Sequence, residues 1–197
     1  MIALTADHFP QEGRVWEALV RIWEDTEAPE GCMVEIVDGV VTVAPPRDVR
    51  QNVIAAELSR ALYRQPRSRD RGAYQKLALA VPGRKGLYVP NLVVAPDAMV
   101  RGAGRFVPAA AAELVVEITS LTSAAHDRRH KPAGYAAAGV PLYLLIDLWS
   151  PGGPTATLHR EPDRTRYRSR RATPLGAPLR LPEPFGLTVD TALFQAG

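Results

Sequence analysis

The chain has 197 residues, 46% of them hydrophobic and 23% charged, with a net charge of +3 and a pI near 9.2. That length can bury a substantial core as one domain, and the balance excludes a disordered chain or a fibre. No apolar run approaches the roughly 20 residues of a membrane-spanning helix, so no membrane partner is expected.

The segment 1–10 has no basic stretch followed by an apolar one, so no signal peptide is expected. The chain has one cysteine, Cys32, which cannot form an internal disulfide and suits a reducing cytoplasm. Cys32 reads as a half-buried packing residue. Of the 24 basic residues only Lys76, Lys85 and Lys131 are lysines. The arginine excess fits a GC-rich coding sequence slightly better than an anionic partner, but its local clusters say more. These are Arg64, Arg67, Arg69 and Arg71; Arg128, Arg129, His130 and Lys131; and Arg164, Arg166, Arg168, Arg170 and Arg171. Alternation in the third predicts a strand with one cationic face, either for nucleic acid or as a protected sheet edge.

Val15, Trp16, Leu19, Val20 and Trp23 recur with helical spacing over 12–23. Two strands, 33–37 and 40–44, are predicted around Asp38-Gly39, a strong hairpin signal. Asp48 can cap a helix reaching Arg64. Strands are expected over 74–81 and 87–95, then a loop over 96–111 and a buried strand over 114–119. A helix starting at Asp127 or a nearby Ser or Thr would run to Ala138. Pro132 is placed in its first turn and Gly139 at its end. Val140 to Asp147 is a strongly apolar strand. A hairpin over 155–160 and 165–171 follows, then short extended segments and a last helical turn. The order predicts α/β, a mixed sheet flanked by helices, in a single domain over 1–197: a helical extension over 1–30 and the main body over 31–197.

Two buried-strand patterns carry an isolated polar side chain, Asn91 in Val89-Pro90-Asn91-Leu92-Val93-Val94 and Glu117 in Leu114-Val115-Val116-Glu117-Ile118. A buried acid needs a partner or a cation. Side by side, Asn91 and Glu117 would form an oxygen-rich pocket for a hard cation, with Lys131 on the following helix beside it. Taken alone, Glu117 could equally be a buried acid paired with an arginine, and Lys131 a solvated helix charge. Asp127 reads as a helix cap and Ser120 as turn chemistry. Tyr135 reads as packing with its hydroxyl at the pocket edge. His126 and His130 are four apart, a zinc-compatible spacing, but lack a third ligand and read as solvated. His8 and His159 carry no argument.

The hairpin around Glu35 and Asp38-Gly39, the segment 89–94, the segment 114–120, then Asp127, Lys131 and Tyr135, then 138–147 follow one another in a familiar order. Together they resemble the Uma-type restriction endonuclease family, within the PD-(D/E)xK nuclease superfamily. The resemblance runs from about residue 30 to the C-terminus. It implies a restriction-endonuclease-like core that hydrolyses DNA phosphodiester bonds with Mg²⁺, Mn²⁺ being able to substitute. Carried over, Asn91 and Glu117 are the metal positions. Lys131 replaces the lysine missing at Thr119, and Glu35 matches the family's hairpin glutamate. Asn91 departs from the family's Asp and removes one negative charge. Three readings follow: a deliberate inactivating substitution, a natural loss of catalysis with binding kept, or compensation by Glu35 or, less well placed, Asp97. A metal-dependent DNA endonuclease is therefore expected, with a homodimer suited to double-strand cutting. The alternatives are a non-catalytic nucleic-acid-binding protein on the same scaffold, and an interaction module that pairs through Trp16 and Trp23.

Overall fold

The computed structural model describes residues 8–64 and 70–194, with side chains from Gly13 onward. Arg67, Arg69 and the side chain of His8 lie outside the described residues. The first helix, α1 (His8–Asp25), leads into the hairpin β1 (Met33–Val37) and β2 (Val40–Ala44). Asp38 and Gly39 both take positive φ, 47° and 82°, as a two-residue hairpin turn of this hand demands. Helix α2 (Val49–Tyr63) follows, closed at its start by a reciprocal cap between Asp48 and Gln51. Then come β3 (Arg71–Tyr74), β4 (Leu79–Val81), β5 (Gly86–Tyr88), β6 (Leu92–Pro96), the short α3 (Asp97–Arg101), β7 (Val107–Pro108) and β8 (Leu114–Ile118). Helix α4 (Ala124–Ala137) crosses to β9 (Leu142–Asp147). The chain ends in β10 (Thr155–Pro162), β11 (Tyr167–Pro174), β12 (Pro178–Leu181), β13 (Leu187–Asp190) and a 3₁₀ turn.

The strands form a five-stranded sheet, β2-β1-β5-β4-β7, a six-stranded sheet, β11-β10-β9-β8-β6-β3, and the ribbon β12-β13. In the six-stranded sheet only β8 and β9 are parallel, joined through α4; the other pairs are antiparallel. The fold is thus mixed α/β with mixed sheets flanked by helices. Side chains of β8 alternate between faces. Leu114, Val116 and Ile118 pack with Ile54, Leu58 and Leu62 of α2, while Val115 packs with Tyr135 of α4 and with Tyr143. Both faces are covered, which is why these strands read as unbroken apolar runs. Glu117 lies on the α4 face.

Two expected strands are each split between sheets. The run 87–95 is β5 of one sheet and β6 of the other. Pro90, between them, has no N–H to give to a ladder. Residues 74–81 likewise divide into β3 and β4, with Lys76 between them at φ 58°. The expected loop 96–111 contains α3, β7 and a 3₁₀ turn. Pro132 lies inside α4, not in its first turn, because the helix begins at Ala124, after hydroxyl bonds linking Ser120, Thr122 and Ser123. In α1, Trp16 and Trp23 meet Phe106 edge-on at 6.4 and 6.3 Å.

Candidate active site

The seam between the two sheets makes the site. Residues 89–91 carry the chain from β5 to β6. Arg47 clamps this crossing, donating from one guanidinium nitrogen to the carbonyls of Val89 at 3.1 Å and Pro90 at 2.6 Å. The Val89 N–H donates to Glu35 Oε1 at 2.6 Å. Asn91 sits one residue before the Leu92–Val116 pair, and Glu117 one residue after it, so the two strands bring them side by side. On α4, Asp127, Lys131 and Tyr135 are spaced by four and share the inward face; all three are buried.

Lys131 is the hub. Its Nζ donates to Glu35 Oε1 at 2.9 Å and Glu117 Oε1 at 3.0 Å, and it pairs with Asp127 Oδ1 at 3.3 Å. Tyr135 donates its hydroxyl to Glu117 Oε1 at 3.1 Å. No donor among the described residues reaches the second oxygen of Glu35 or of Glu117. Asn91 Oδ1 accepts the Ile118 N–H at 2.9 Å, and its buried Nδ2 has no partner among the described residues. Gln51 Nε2 donates to the Ile118 carbonyl at 2.6 Å. Glu35, Gln51, Asn91, Glu117, Asp127 and Lys131 line a cavity of about 50 Å³, room for a few waters or a partly hydrated ion. Ser120, Thr122 and Ser123 stand at its edge.

Three acids around one ammonium leave an excess of buried negative charge. Burial pushes the Glu117 carboxyl up to about 8 against the pull of Lys131, with Asp127 and Glu35 adding to the rise. Asp127 is raised for the same first reason, burial. Burial works to lower the Lys131 ammonium, but Glu117, Glu35 and Asp127 outweigh it and hold its pKa well above the usual value. Burial, reinforced by Glu117 and Glu35, keeps the Tyr135 hydroxyl protonated far above the ordinary tyrosine range. Lys131 and Tyr135 are therefore fixed donors.

The expected site residues Glu35, Asn91, Glu117 and Lys131 all line this one cavity. Asp97 is not among the lining residues; it accepts from the Tyr74 hydroxyl at 2.6 Å. Asp127 was expected as a cap. Ser123 holds that position, and Asp127 turns inward because the helix starts a turn earlier. Its signal was the Asp127, Lys131, Tyr135 spacing. Arg47 and Gln51 escaped notice, although Gln51 stands three residues after Asp48, the spacing of a reciprocal cap. His130 Nδ1 meets Asp38 at 2.6 Å, and the His126 ring lies tilted at 49° with its centroid 5.3 Å from that of His130. Of the third arginine cluster, Arg168 and Arg170 are exposed on the edge strand β11.

The Uma2 family, described as "Putative restriction endonuclease", matches residues 16–192. The chain belongs to the Uma2 family. Among solved structures it is similar to a putative nuclease belonging to DUF820 from Anabaena variabilis ATCC 29413. The TM-score is 0.69 at 15% identity, covering 91% of this chain and 97% of that one. At that identity the likeness is one of fold. A comparison with curated proteins finds no match. Restriction-endonuclease-like families generally use divalent metals. Among the described residues no three His, Cys, Asp or Glu form a ready metal cage. The acids close on Lys131 instead. Glu117 and Glu35 nonetheless line the cavity with one oxygen each free of protein donors. That fits an ion held by one or two carboxylates together with a substrate phosphate.

Proposed function

We infer that this chain is a metal-assisted DNA endonuclease, working at the cavity between the two sheets. The observation that carries this reading is the meeting of Glu35, Asn91, Glu117 and Lys131, from four separate parts of the chain, on one small polar cavity. A protein core has no packing reason to bury three acids and a lysine together, since pairing rarely offsets their desolvation. Glu117, with Glu35 as second carboxylate, would hold Mg²⁺, or Mn²⁺ in its place. The ion, when bound, would activate water for attack on phosphorus and neutralise the charge that develops there. Lys131, beside both carboxylates, would supply the positive charge that holds a phosphate oxygen. Tyr135 orients the Glu117 carboxylate through its hydroxyl. The exposed Arg129 and the β11 arginines Arg168 and Arg170 would hold the DNA backbone, giving salt-sensitive, sequence-independent affinity.

A second reading, a non-catalytic DNA-binding protein, is favoured by one observation: Asn91 commits its oxygen to Ile118 and leaves only an amide nitrogen unpartnered. Incubation of end-labelled duplex DNA with and without Mg²⁺ separates the two. Metal-dependent cutting that Glu117→Gln abolishes supports the enzyme. Salt-sensitive binding of the same duplex with no cutting in Mg²⁺ or Mn²⁺ supports the binding protein.

A further inference from the structure

We propose that Asn91 is a hydrogen-bond donor to a phosphate oxygen of the nucleic acid, and not a cation ligand; this rests on the nuclease reading of the cavity. The orientation of the amide is decided by its neighbour. A backbone N–H can only donate, and the Ile118 N–H lies 2.9 Å from the Asn91 oxygen. Flipping the amide would set two donors against each other. The nitrogen therefore turns away from β8, with its two N–H groups taken by no acceptor among the described residues. Asn91 is only 4% exposed and lines the cavity. Buried donors in native proteins almost always find an acceptor, so this one is placed for something that enters.

What enters at that wall is an anion oxygen. The positive end of an amide N–H repels a cation, and the amide oxygen is already engaged. Arg47 lines the same cavity and clamps the two carbonyls just before Asn91, so the chain leading into the residue is held in place. The cavity is thus bipolar. Glu117 and Glu35 present acceptors, while Asn91 and Arg47 present donors and positive charge. A phosphodiester, with its two unesterified oxygens, matches the donor wall. An Asp at position 91 would keep the bond to Ile118 but turn an acceptor toward the same place. Asparagine therefore moves one interaction from a cation to the phosphate.

The test uses the full chain, ¹⁵N-labelled, in EDTA. It has two asparagines, Asn52 and Asn91, so the side-chain amide signal of Asn91 is assigned by its loss in Asn91→Asp. Dimethyl phosphate is titrated as the diester probe. In parallel, binding of a fluorescent duplex in EDTA is measured for the wild type and for Asn91→Ala. The expected result is a saturable shift of the Asn91 amide protons and DNA binding weakened about tenfold in Asn91→Ala, the loss of one charge-assisted hydrogen bond. An amide signal that ignores the diester, or Asn91→Ala binding DNA in EDTA as tightly as the wild type, overturns the proposal. Circular dichroism of Asn91→Ala guards against unfolding, and the NMR titration itself is read on the wild-type chain. Failure of the nuclease reading looks different: the amide responds to the diester, yet neither the wild type nor Asn91→Asp cuts DNA in Mg²⁺ or Mn²⁺.

Discussion

Replacing Lys131 by methionine tests whether the ammonium holds the acid cluster together. Methionine keeps most of the volume and removes the charge. Lys131 Nζ meets Glu35 at 2.9 Å, Glu117 at 3.0 Å and Asp127 at 3.3 Å, and the lysine side chain is 5% exposed. Removing one partner from a buried ion pair costs about 3–5 kcal/mol. Here three acids lose their shared counter-charge, so the upper part of that range is expected at pH 7. At about 2–4 °C per kcal/mol for a chain of this size, the melting temperature should fall by roughly 8–20 °C. The loss should shrink on acidification. Lys131 itself has a raised pKa, so its stabilisation is complete below the unfolded lysine value and constant between pH 5 and 8. The pH dependence comes from the acids. Burial already raises Glu117 and Asp127, and without the ammonium they rise further. Protonation on folding then restores stability as the pH falls toward the unfolded carboxylate value. Urea unfolding at pH 5, 6.5 and 8 is the assay. A loss under about 1 kcal/mol at pH 7, the range of a surface pair, would refute the reasoning. So would a loss that stays constant with pH.

Three further outcomes are expected. In EDTA, wild-type stability should fall as the pH rises from the unfolded glutamate value of 4.5 toward about 8, the raised value of Glu117; Glu117→Gln should flatten this slope, read from urea midpoints. Asp147 accepts both donors of a forked Arg128 at 2.7 and 2.8 Å, with the Thr119 hydroxyl and the Trp149 N–H on the same carboxylate. Although burial opposes it, these bonds lower its pKa, so its contribution is present above the unfolded aspartate value and lost as the pH falls through the folded one. Asp147→Ala should cost about 2–3 kcal/mol at pH 7 and shift the fluorescence of exposed Trp149, checked by a melt and an emission spectrum. A Cβ at Gly134 would lie 2.5 Å from the Tyr88 hydroxyl. Gly134→Ala should therefore destabilise by about 1–3 kcal/mol through overpacking, despite the better helix propensity of alanine; Tyr88→Phe, which removes a buried hydroxyl without a partner among the described residues, should be close to neutral in the same melt.

Much of the fold was legible because its signals are local. Asp38-Gly39 fixed the hairpin to the residue, and the apolar runs 114–119 and 140–147 marked the two buried strands on either side of α4. What escaped depends on contacts distant in sequence. The run 87–95 looks like one strand, since period-two patterning does not say which sheet a residue joins. Only the Arg47 clamp and the Glu35 bond to Val89 reveal the crossing at Pro90. Asn91 and Glu117 could be chosen as polar residues in apolar strands, Glu35 and the site role of Lys131 rested on the family resemblance, and the fold gathers all four. The role of Arg47 was hidden because an arginine before a helix looks like any solvated charge. The orientation of Asn91 was hidden too, because it depends on which backbone group lies across from it.

Supercoiled plasmid incubated with the chain in Mg²⁺ and in Mn²⁺ tests the central claim most directly, with Glu117→Ala and Asn91→Asp beside it. Nicking or linearisation by the wild type that Glu117→Ala abolishes is the expected result, and Asn91→Asp should bind the metal more tightly. Plasmid left intact by every form in both metals, with the proteins folded, would contradict the enzyme and leave the cavity as a DNA-binding site.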